Sequence, residues 1–146
     1  MKRTFLKALF VSFLLAVLSA CSFSDARDDE AAQLIEAYVN AVNNQDYDTA
    51  LGMVSEEFLM ERGREGWIEH YKNVHEVLGK VTNLKLKQKI SDARYSARFY
   101  MYQYANKYEN GLAKELITVV QMINNDEPLK IGGHKIESSK LPGAPK

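Results

Sequence analysis

Three histidines are the side chains best suited to metal or acid–base chemistry, and they lie at positions 70, 75 and 134. His70 and His75 fall in one predicted helix, where five residues correspond to about 500° of rotation. Their rings therefore point in different directions, unlike the paired histidines of a zinc helix. His134 stands alone in a predicted strand, with no ligand spacing to any neighbour. We interpret all three as structural, and predict no metal and no cofactor.

Acidic side chains offer a second kind of chemistry. The segment Asp46-Tyr47-Asp48 begins like a calcium loop, but Ala50 and Leu51 stand where an EF-hand needs an oxygen ligand and a glycine. No serine lies in the context of a nucleophile elbow. We therefore predict no catalytic residue.

Aromatic side chains are the remaining candidates for ligand contact. Trp67 and Tyr71 lie on one stripe of a predicted helix, and Tyr100, Tyr102 and Tyr104 share one face of a predicted strand. Such rings can line a pocket for an apolar ligand or form a dimer interface, and we predict these five as binding residues. The alternative, which strand propensity favours, is that they fill the core.

Cys21 is the only cysteine, and it follows a segment with the composition of a secretory signal. Three basic residues precede an apolar run at 8–18, which is about half of the roughly 20 residues that span a bilayer. The segment Leu18-Ser19-Ala20-Cys21 resembles the lipobox of bacterial lipoproteins. This resemblance implies diacylglycerol on the Cys21 sulfur, cleavage before Cys21, and a further acyl chain such as palmitate on the freed amine. The alternative is an ordinary cleaved signal with an incidental or buried thiol.

Acylation at Cys21 would decide where the protein acts. Two or more acyl chains anchor a protein stably, so the lipid bilayer is the first predicted partner. Ser22 stands where the enteric sorting pattern places an inner-membrane aspartate, so the resemblance implies the outer membrane, facing the periplasm. A sulfur that carries lipid is unavailable for disulfide, metal or nucleophilic chemistry.

Length and charge limit the remaining classes. Removing a signal peptide at 1–20 leaves 126 of 146 residues, which suits one domain. That part carries 16 basic and 19 acidic side chains, and this mild acidity argues against nucleic acid as a partner. We predict a tether at 21–28, a folded domain at 29–138 and a flexible tail at 139–146.

Helix signals occupy the first half of the domain. An apolar stripe at helical spacing runs over 31–42, with Asp28 or Asp29 as its cap. Asp46 and Ser55 can begin two short helices. A longer helix runs from about 64 to Leu78 and ends at Gly79.

Strand signals follow in the second half. Period-two alternation predicts a strand over 81–90, a turn at Ser91-Asp92 and a strand over 93–108. Asn110-Gly111 is typical of a type I′ hairpin leading into a strand over 112–123. A last strand over 129–136 contains Gly132-Gly133, which we expect to form a bulge or bend.

The order of these elements, with Trp67 in the long helix, Leu78-Gly79 before the first strand and a closing segment at 129–133, resembles the nuclear transport factor two-like superfamily. The resemblance implies an α+β fold in which N-terminal helices pack on a curved antiparallel sheet of about four strands, forming a cone. Internal pockets and dimerisation are frequent in this group. Its steroid isomerases use a carboxylate base with a tyrosine and a protonated aspartate. Tyr38 and Glu115 are available types, but neither aligns with that motif.

Because one fold hosts isomerases, dehydratases and binding modules, the resemblance implies no single activity. We expect a non-enzymatic envelope lipoprotein that binds an envelope protein, a small apolar ligand or a second copy of itself. One alternative is a cone-pocket isomerase or hydrolase of small hydrophobic metabolites. Another is a structural lipoprotein whose tyrosine face packs on an assembly.

Overall fold

The computed structural model describes residues 26–123 and 127–142, so Cys21 and the predicted leader lie outside the described residues. Helices form the first half of this part of the chain. They are α1 (Ala26–Asn43), α2 (Tyr47–Gly52), α3 (Glu56–Met60) and α4 (Gly63–Leu78). None of the described helices is long and apolar enough to cross a bilayer.

The helix boundaries follow from capping chemistry. The Asp46 carboxylate accepts a hydrogen bond from the Thr49 amide, and the Ser55 hydroxyl accepts one from the Phe58 amide, as predicted for both caps. α1 begins earlier than expected, at Ala26, so Asp28 and Asp29 lie within its first turn and the prediction that one of them caps the helix is wrong. Both carboxylates still face the positive end of the helix dipole.

Five strands form one antiparallel sheet: β1 (Val81–Asn83), β2 (Leu86–Arg94), β3 (Ala97–Tyr108), β4 (Gly111–Met122) and β5 (Lys130–Glu137). β1 and β2 pair with successive parts of β3, and β4 lies between β3 and β5. The single strand predicted over 81–90 is thus divided in two. Helices followed by a curved antiparallel sheet confirm the predicted α+β class.

Two turns differ from the predictions. Ser91 and Asp92 pair with Tyr100 and Phe99, so β2 continues past them and turns at Tyr95, whose φ is 55°. The hairpin between β3 and β4 turns through Glu109 and Asn110, but neither central residue has the positive φ of a type I′ turn. This turn is held from outside, because the Asn110 amide donates to the carbonyl of Leu78 at 2.9 Å.

The hydrophobic core lies between the helices and one face of the sheet. Every second residue of β3 from Tyr100 to Tyr108 is buried, and β4 contributes Ala113, Ile117 and Val119 to the same side. Opposite β4, the register shifts by one residue at Gly132, which confirms the predicted bulge. The curved sheet therefore presents its concave face to α1 and α4.

Candidate functional site: a buried network of Glu115, His134 and tyrosines

Glu115 projects from β4 into the core, where its side chain is 1% exposed. One carboxylate oxygen accepts hydrogen bonds from the Tyr108 hydroxyl at 2.6 Å and the Asn106 amide nitrogen at 2.9 Å. The other oxygen lies 2.9 Å from Nε2 of His134 on β5. Three strands thus deliver four polar side chains to one point on the concave face.

The helices extend this network from the other side. The Tyr38 hydroxyl of α1 lies 3.1 Å from Nδ1 of His134 and hydrogen-bonds the Tyr71 hydroxyl of α4. A continuous path therefore runs from Tyr71 through Tyr38 and His134 to Glu115. We call these residues, with Asn106 and Tyr108, the Glu115 network.

When the His134 imidazole is neutral, the contacts fit one arrangement of protons. An ionised Glu115 accepts from Nε2–H of His134, which leaves Nδ1 to accept from Tyr38, whose oxygen accepts from Tyr71. Burial by itself raises the pKa of Glu115, but the hydrogen bond from His134, the attraction of that imidazole when it is protonated, and the hydrogen bonds from Tyr108 and Asn106 outweigh burial and lower that pKa from 4.5. The carboxylate is therefore charged at neutral pH.

The tyrosines of the network remain protonated. Burial raises the pKa of Tyr38 well above 10, and the neighbouring Tyr71 raises it further. Burial, and then the Glu115 charge, likewise raise the pKa of Tyr108. These hydroxyls can therefore donate hydrogen bonds but cannot act as phenolate bases near neutral pH.

The network opens into a small cavity of about 20 Å³. It is lined by Tyr71, Tyr108, Glu115 and His134, with Val42 and Val74 among its apolar walls. This space holds about one water molecule, whereas sites for small organic ligands measure roughly 300–1,000 Å³. The space beside the network is therefore smaller than a site for a small organic ligand.

No family model matches the sequence, and no curated protein matches it. The fold does match solved structures, among them the following two. The Bdellovibrio bacteriovorus protein Bd1075 is 17% identical with a TM-score of 0.54, over 79% of this chain and 42% of that one, so this chain spans less than half of its length. An NTF2-like protein of unknown function from Pseudomonas putida KT2440 is 14% identical with a TM-score of 0.53, over 79% of this chain and 88% of that one.

The fold is nuclear transport factor two-like. Identities this low show the fold and carry no activity with them. Within this nuclear transport factor two-like fold, the Glu115 network lies inside the cone, between the concave sheet face and the long helices α1 and α4.

The five predicted binding residues are all buried in this cone. Trp67 stacks on Phe58 with ring centroids 4.2 Å apart and donates its indole N–H to the Phe58 carbonyl. Tyr102 stacks on Tyr104 and donates its hydroxyl to the carbonyl of Asp28. The Tyr100 hydroxyl has no hydrogen-bond partner within the described part of the chain. Of the five, Tyr71 belongs to the Glu115 network, and a binding role for any of them stays a prediction.

His70 and His75 lie on different sides of α4, as predicted. His70 is half-buried against Trp67 and Tyr71, and this burial, with Arg62 and His134 nearby, lowers its pKa to about 4. His75 lies on another side of the helix, 3.1 Å from the Gln45 amide. His134 has no ligand spacing to its neighbours along the chain, but the sheet places it against Glu115, a partner that the local sequence does not indicate. The described residues contain no cluster of three or more potential metal ligands.

Sequence reasoning missed Asn106, Tyr108 and the pairing of Glu115 with His134. A signal was present in the strand alternation, because Asn106 and Glu115 occupy inward positions at which β3 and β4 otherwise carry apolar or aromatic residues. A polar residue at such a position must find buried partners. The partners themselves come from other strands and helices, and no local pattern identifies them.

Proposed function

We propose that this protein is a lipid-anchored, non-enzymatic interaction module of the bacterial cell envelope. Anchoring is inferred from the lipobox-like segment ending at Cys21, and Ser22 favours the outer membrane with the domain facing the periplasm. The shared fold with the NTF2-like protein of unknown function from Pseudomonas putida is compatible with a domain of the binding type.

The observation that supports the non-enzymatic assignment is the small volume of the cavity inside the cone. The cavity beside the Glu115 network is about 20 Å³, so the polar groups there serve one another rather than a substrate. Such a network, fully hydrogen-bonded, makes a core rigid and specific. Partner binding is accordingly assigned to the outside of the domain.

Acylation is tested by labelling cells that express the full chain with a palmitate analogue, beside a Cys21→Ser variant. We expect label on the wild-type chain and none on the variant, and an unprocessed precursor when lipoprotein signal peptidase is inhibited. Absence of label on the wild-type chain would refute the anchor.

Binding is tested on the same protein, extracted in mild detergent and analysed by native mass spectrometry. We expect the acylated chain to carry a protein partner or a second copy, and no small metabolite. A stoichiometric small molecule inside the folded chain would contradict the non-enzymatic assignment.

The Glu115 network favours one other function, an isomerase or hydrolase of small hydrophobic metabolites. A buried carboxylate, an imidazole and two tyrosine hydroxyls in sequence form a path along which a proton can move. This function requires the cone to open well beyond the space of one water. A ligand that enters would raise the melting temperature of the wild type more than that of Tyr71→Phe in a screen of ketones and esters. We expect no such ligand.

A further inference from the structure

The molecule is electrically polarised between its two layers. The helical part, 26–78, contains four basic and twelve acidic side chains, a formal charge of −8. The sheet part, 79–142, contains eleven basic and six acidic side chains, a formal charge of +5. The net charge of −3 over 26–142 therefore hides a cationic side that is carried by the sheet.

The positive charge is concentrated at one end of the outer sheet face. Lys107, Lys114 and Lys135 lie on the side of β3, β4 and β5 that faces away from the core, in three successive cross-strand rows. Lys87 joins them from the β2 edge, at a bulge opposite β3. We call these four lysines, together with Leu112, the basic face.

A groove on this face has the size of a ligand site. Lys87, Lys114 and Lys135 surround a space of about 430 Å³, with the Gln103 amide in its lining. Glu137 also lines the groove and lies 2.6 Å from Lys135, and Glu115 belongs to the lining as well, so three basic residues face two acidic ones and the excess is a single positive charge. Its volume lies within the range of small-molecule sites, roughly 300–1,000 Å³.

Apolar side chains are exposed beside the lysines. Leu112 is 72% exposed on the same outer face, and the β1–β2 edge exposes Leu84 and Leu86 next to Lys85 and Lys87. Lysine on an edge strand blocks aggregation between sheets, which accounts for the β2 lysines. It does not account for Lys114 on an interior strand. Cationic and apolar groups together are typical of surfaces that lie on a membrane, where both contribute to binding.

The start of the described chain lies at the same edge. The Asp28 carboxylate is 2.7 Å from the Lys89 ammonium on β2, and its carbonyl accepts from Tyr102 on β3. Seven Cα-to-Cα steps join Cys21 to Asp28, a maximum reach of about 25 Å. A lipid at Cys21 would therefore hold the β2 edge within that distance of the bilayer.

We propose that the basic face docks on an anionic phospholipid surface and orients the anchored domain with its acidic helices away from the membrane. This inference rests on the proposed lipid anchor. Charge complementarity carries it, since an anionic bilayer attracts the sheet and repels the helical layer.

The test uses the chain from Ser22 to Lys146, which contains every described residue and no cysteine to acylate. Its co-sedimentation with vesicles of phosphatidylcholine is compared with that on mixed phosphatidylcholine and phosphatidylglycerol vesicles, at low and high salt. We expect binding to the mixed vesicles alone, and loss of that binding at high salt. No binding to mixed vesicles at low salt would overturn the proposal.

Paired variants separate the basic face from overall charge. Lys114→Gln with Lys135→Gln should reduce the partition onto mixed vesicles by at least about tenfold. Lys72→Gln with Lys130→Gln removes the same charge elsewhere and should reduce it by less than about threefold. Equal losses in both pairs would overturn the proposal. Both pairs replace exposed or half-buried lysines, and thermal melting checks that each remains folded.

Soluble heparin, added as a competitor, distinguishes a membrane from a general polyanion site. We expect the vesicles to retain the protein at heparin concentrations that match the lipid charge, and complete transfer to heparin would overturn the membrane assignment. The chain in these experiments is unlipidated, so their outcome is independent of the palmitate labelling. The anchor and the docking face can therefore fail separately.

Discussion

Glu115 is the residue on which the interior of the cone depends. It is a carboxylate buried in the core, and it remains ionised because three donors from two other strands point at it. Removing one partner of such a group leaves the others buried without a hydrogen bond. The resulting loss of stability exceeds the sum of the net contributions of the broken hydrogen bonds. The residue is thus a stability determinant with a pH signature.

The contribution of Glu115 to stability should depend on pH. The folded-state pKa of Glu115 lies below its unfolded value of 4.5, so its stabilising contribution is present above about pH 4.5 and is lost as pH falls through the folded pKa. Glu115→Gln should lower the free energy of unfolding by about 3 kcal/mol at neutral pH, and should flatten its dependence on pH below 4.5. Urea unfolding at pH 7 and pH 4 measures both.

The matched control is Glu36→Gln, the same change on the exposed side of α1. It should alter the unfolding free energy by less than about 0.5 kcal/mol. If Glu115→Gln kept the full acid sensitivity of the wild type, the ionised state assigned to Glu115 would be wrong.

Two buried tyrosines allow the second prediction, because their hydroxyls have opposite surroundings. Tyr38 hydrogen-bonds Tyr71 and His134, whereas the Tyr100 hydroxyl has no partner in the described chain. Tyr38→Phe leaves His134 without a donor and should cost about 1–3 kcal/mol, while Tyr100→Phe removes a buried unpaired group and should be neutral or stabilising. Thermal and urea unfolding should therefore show a loss of stability for Tyr38→Phe and none for Tyr100→Phe. Equal losses in the two variants would contradict the hydrogen bonds assigned to Tyr38.

At the scale of elements, the junction between α4 and β1 aligns the helices with the sheet. Gly79 ends α4 with φ of 76° and ψ of −157°, a region that is essentially restricted to glycine. A Cβ there would also collide with Glu109, which lies in the β3–β4 turn. The Glu109 carboxylate accepts a hydrogen bond from the Lys80 amide. This glycine lets the last turn of the helix approach the hairpin.

We therefore expect Gly79→Ala to destabilise the domain by about 1–3 kcal/mol, through backbone strain and displacement of Glu109. Gly52→Ala at the end of α2 is the matched control, since nothing lies within 4 Å of its Cβ position and its φ is not positive. That variant should be neutral or slightly stabilising. Denaturant midpoints compare the two, and a Gly79→Ala midpoint equal to that of Gly52→Ala would contradict the assigned strain.

At the scale of the whole molecule, the opposed charges of the two layers give the domain an orientation in an electric field. An acylated Cys21 would confine the domain to a bilayer without orienting it, because a flexible lipid tether restricts distance more than rotation. The basic face supplies the missing restraint if the bilayer is anionic. Anchor and face then act as two signals on one membrane.

Fluorescence quenching at two positions can measure this orientation. An acylated Cys21 has no free thiol, so Leu112→Cys on the basic face and Glu69→Cys on α4 each introduce the only reactive thiol of the anchored chain. A fluorophore at 112 should be quenched by head-group-labelled lipids at least about twofold more than one at 69, because docking through the basic face places position 112 at the head groups and α4 on the side that faces away. The difference should vanish in vesicles without anionic lipid. Equal quenching at both positions in anionic vesicles would contradict the orientation.

Much of the fold was predictable because its signals are local. The stripe of α1, the caps at Asp46 and Ser55 and the alternation of β3 and β4 each arise within a few residues and survive folding unchanged. Where prediction failed, tertiary contacts override local preference. The turn at Ser91-Asp92 is absent because pairing with β3 extends β2, and the hairpin at Asn110 is reshaped by its bond to Leu78.

The sequence by itself determined the helices-then-strands order, the positions of most elements and the shared face of Tyr100, Tyr102 and Tyr104, since these depend on periodicity and capping. Only the tertiary structure decided that His134 meets Glu115, that the cone has room for about one water, and that lysines from separate strands form one face. Each of these depends on residues distant in the chain and brought together by strand register. Register is set by the packing of the whole sheet, and no segment specifies it alone.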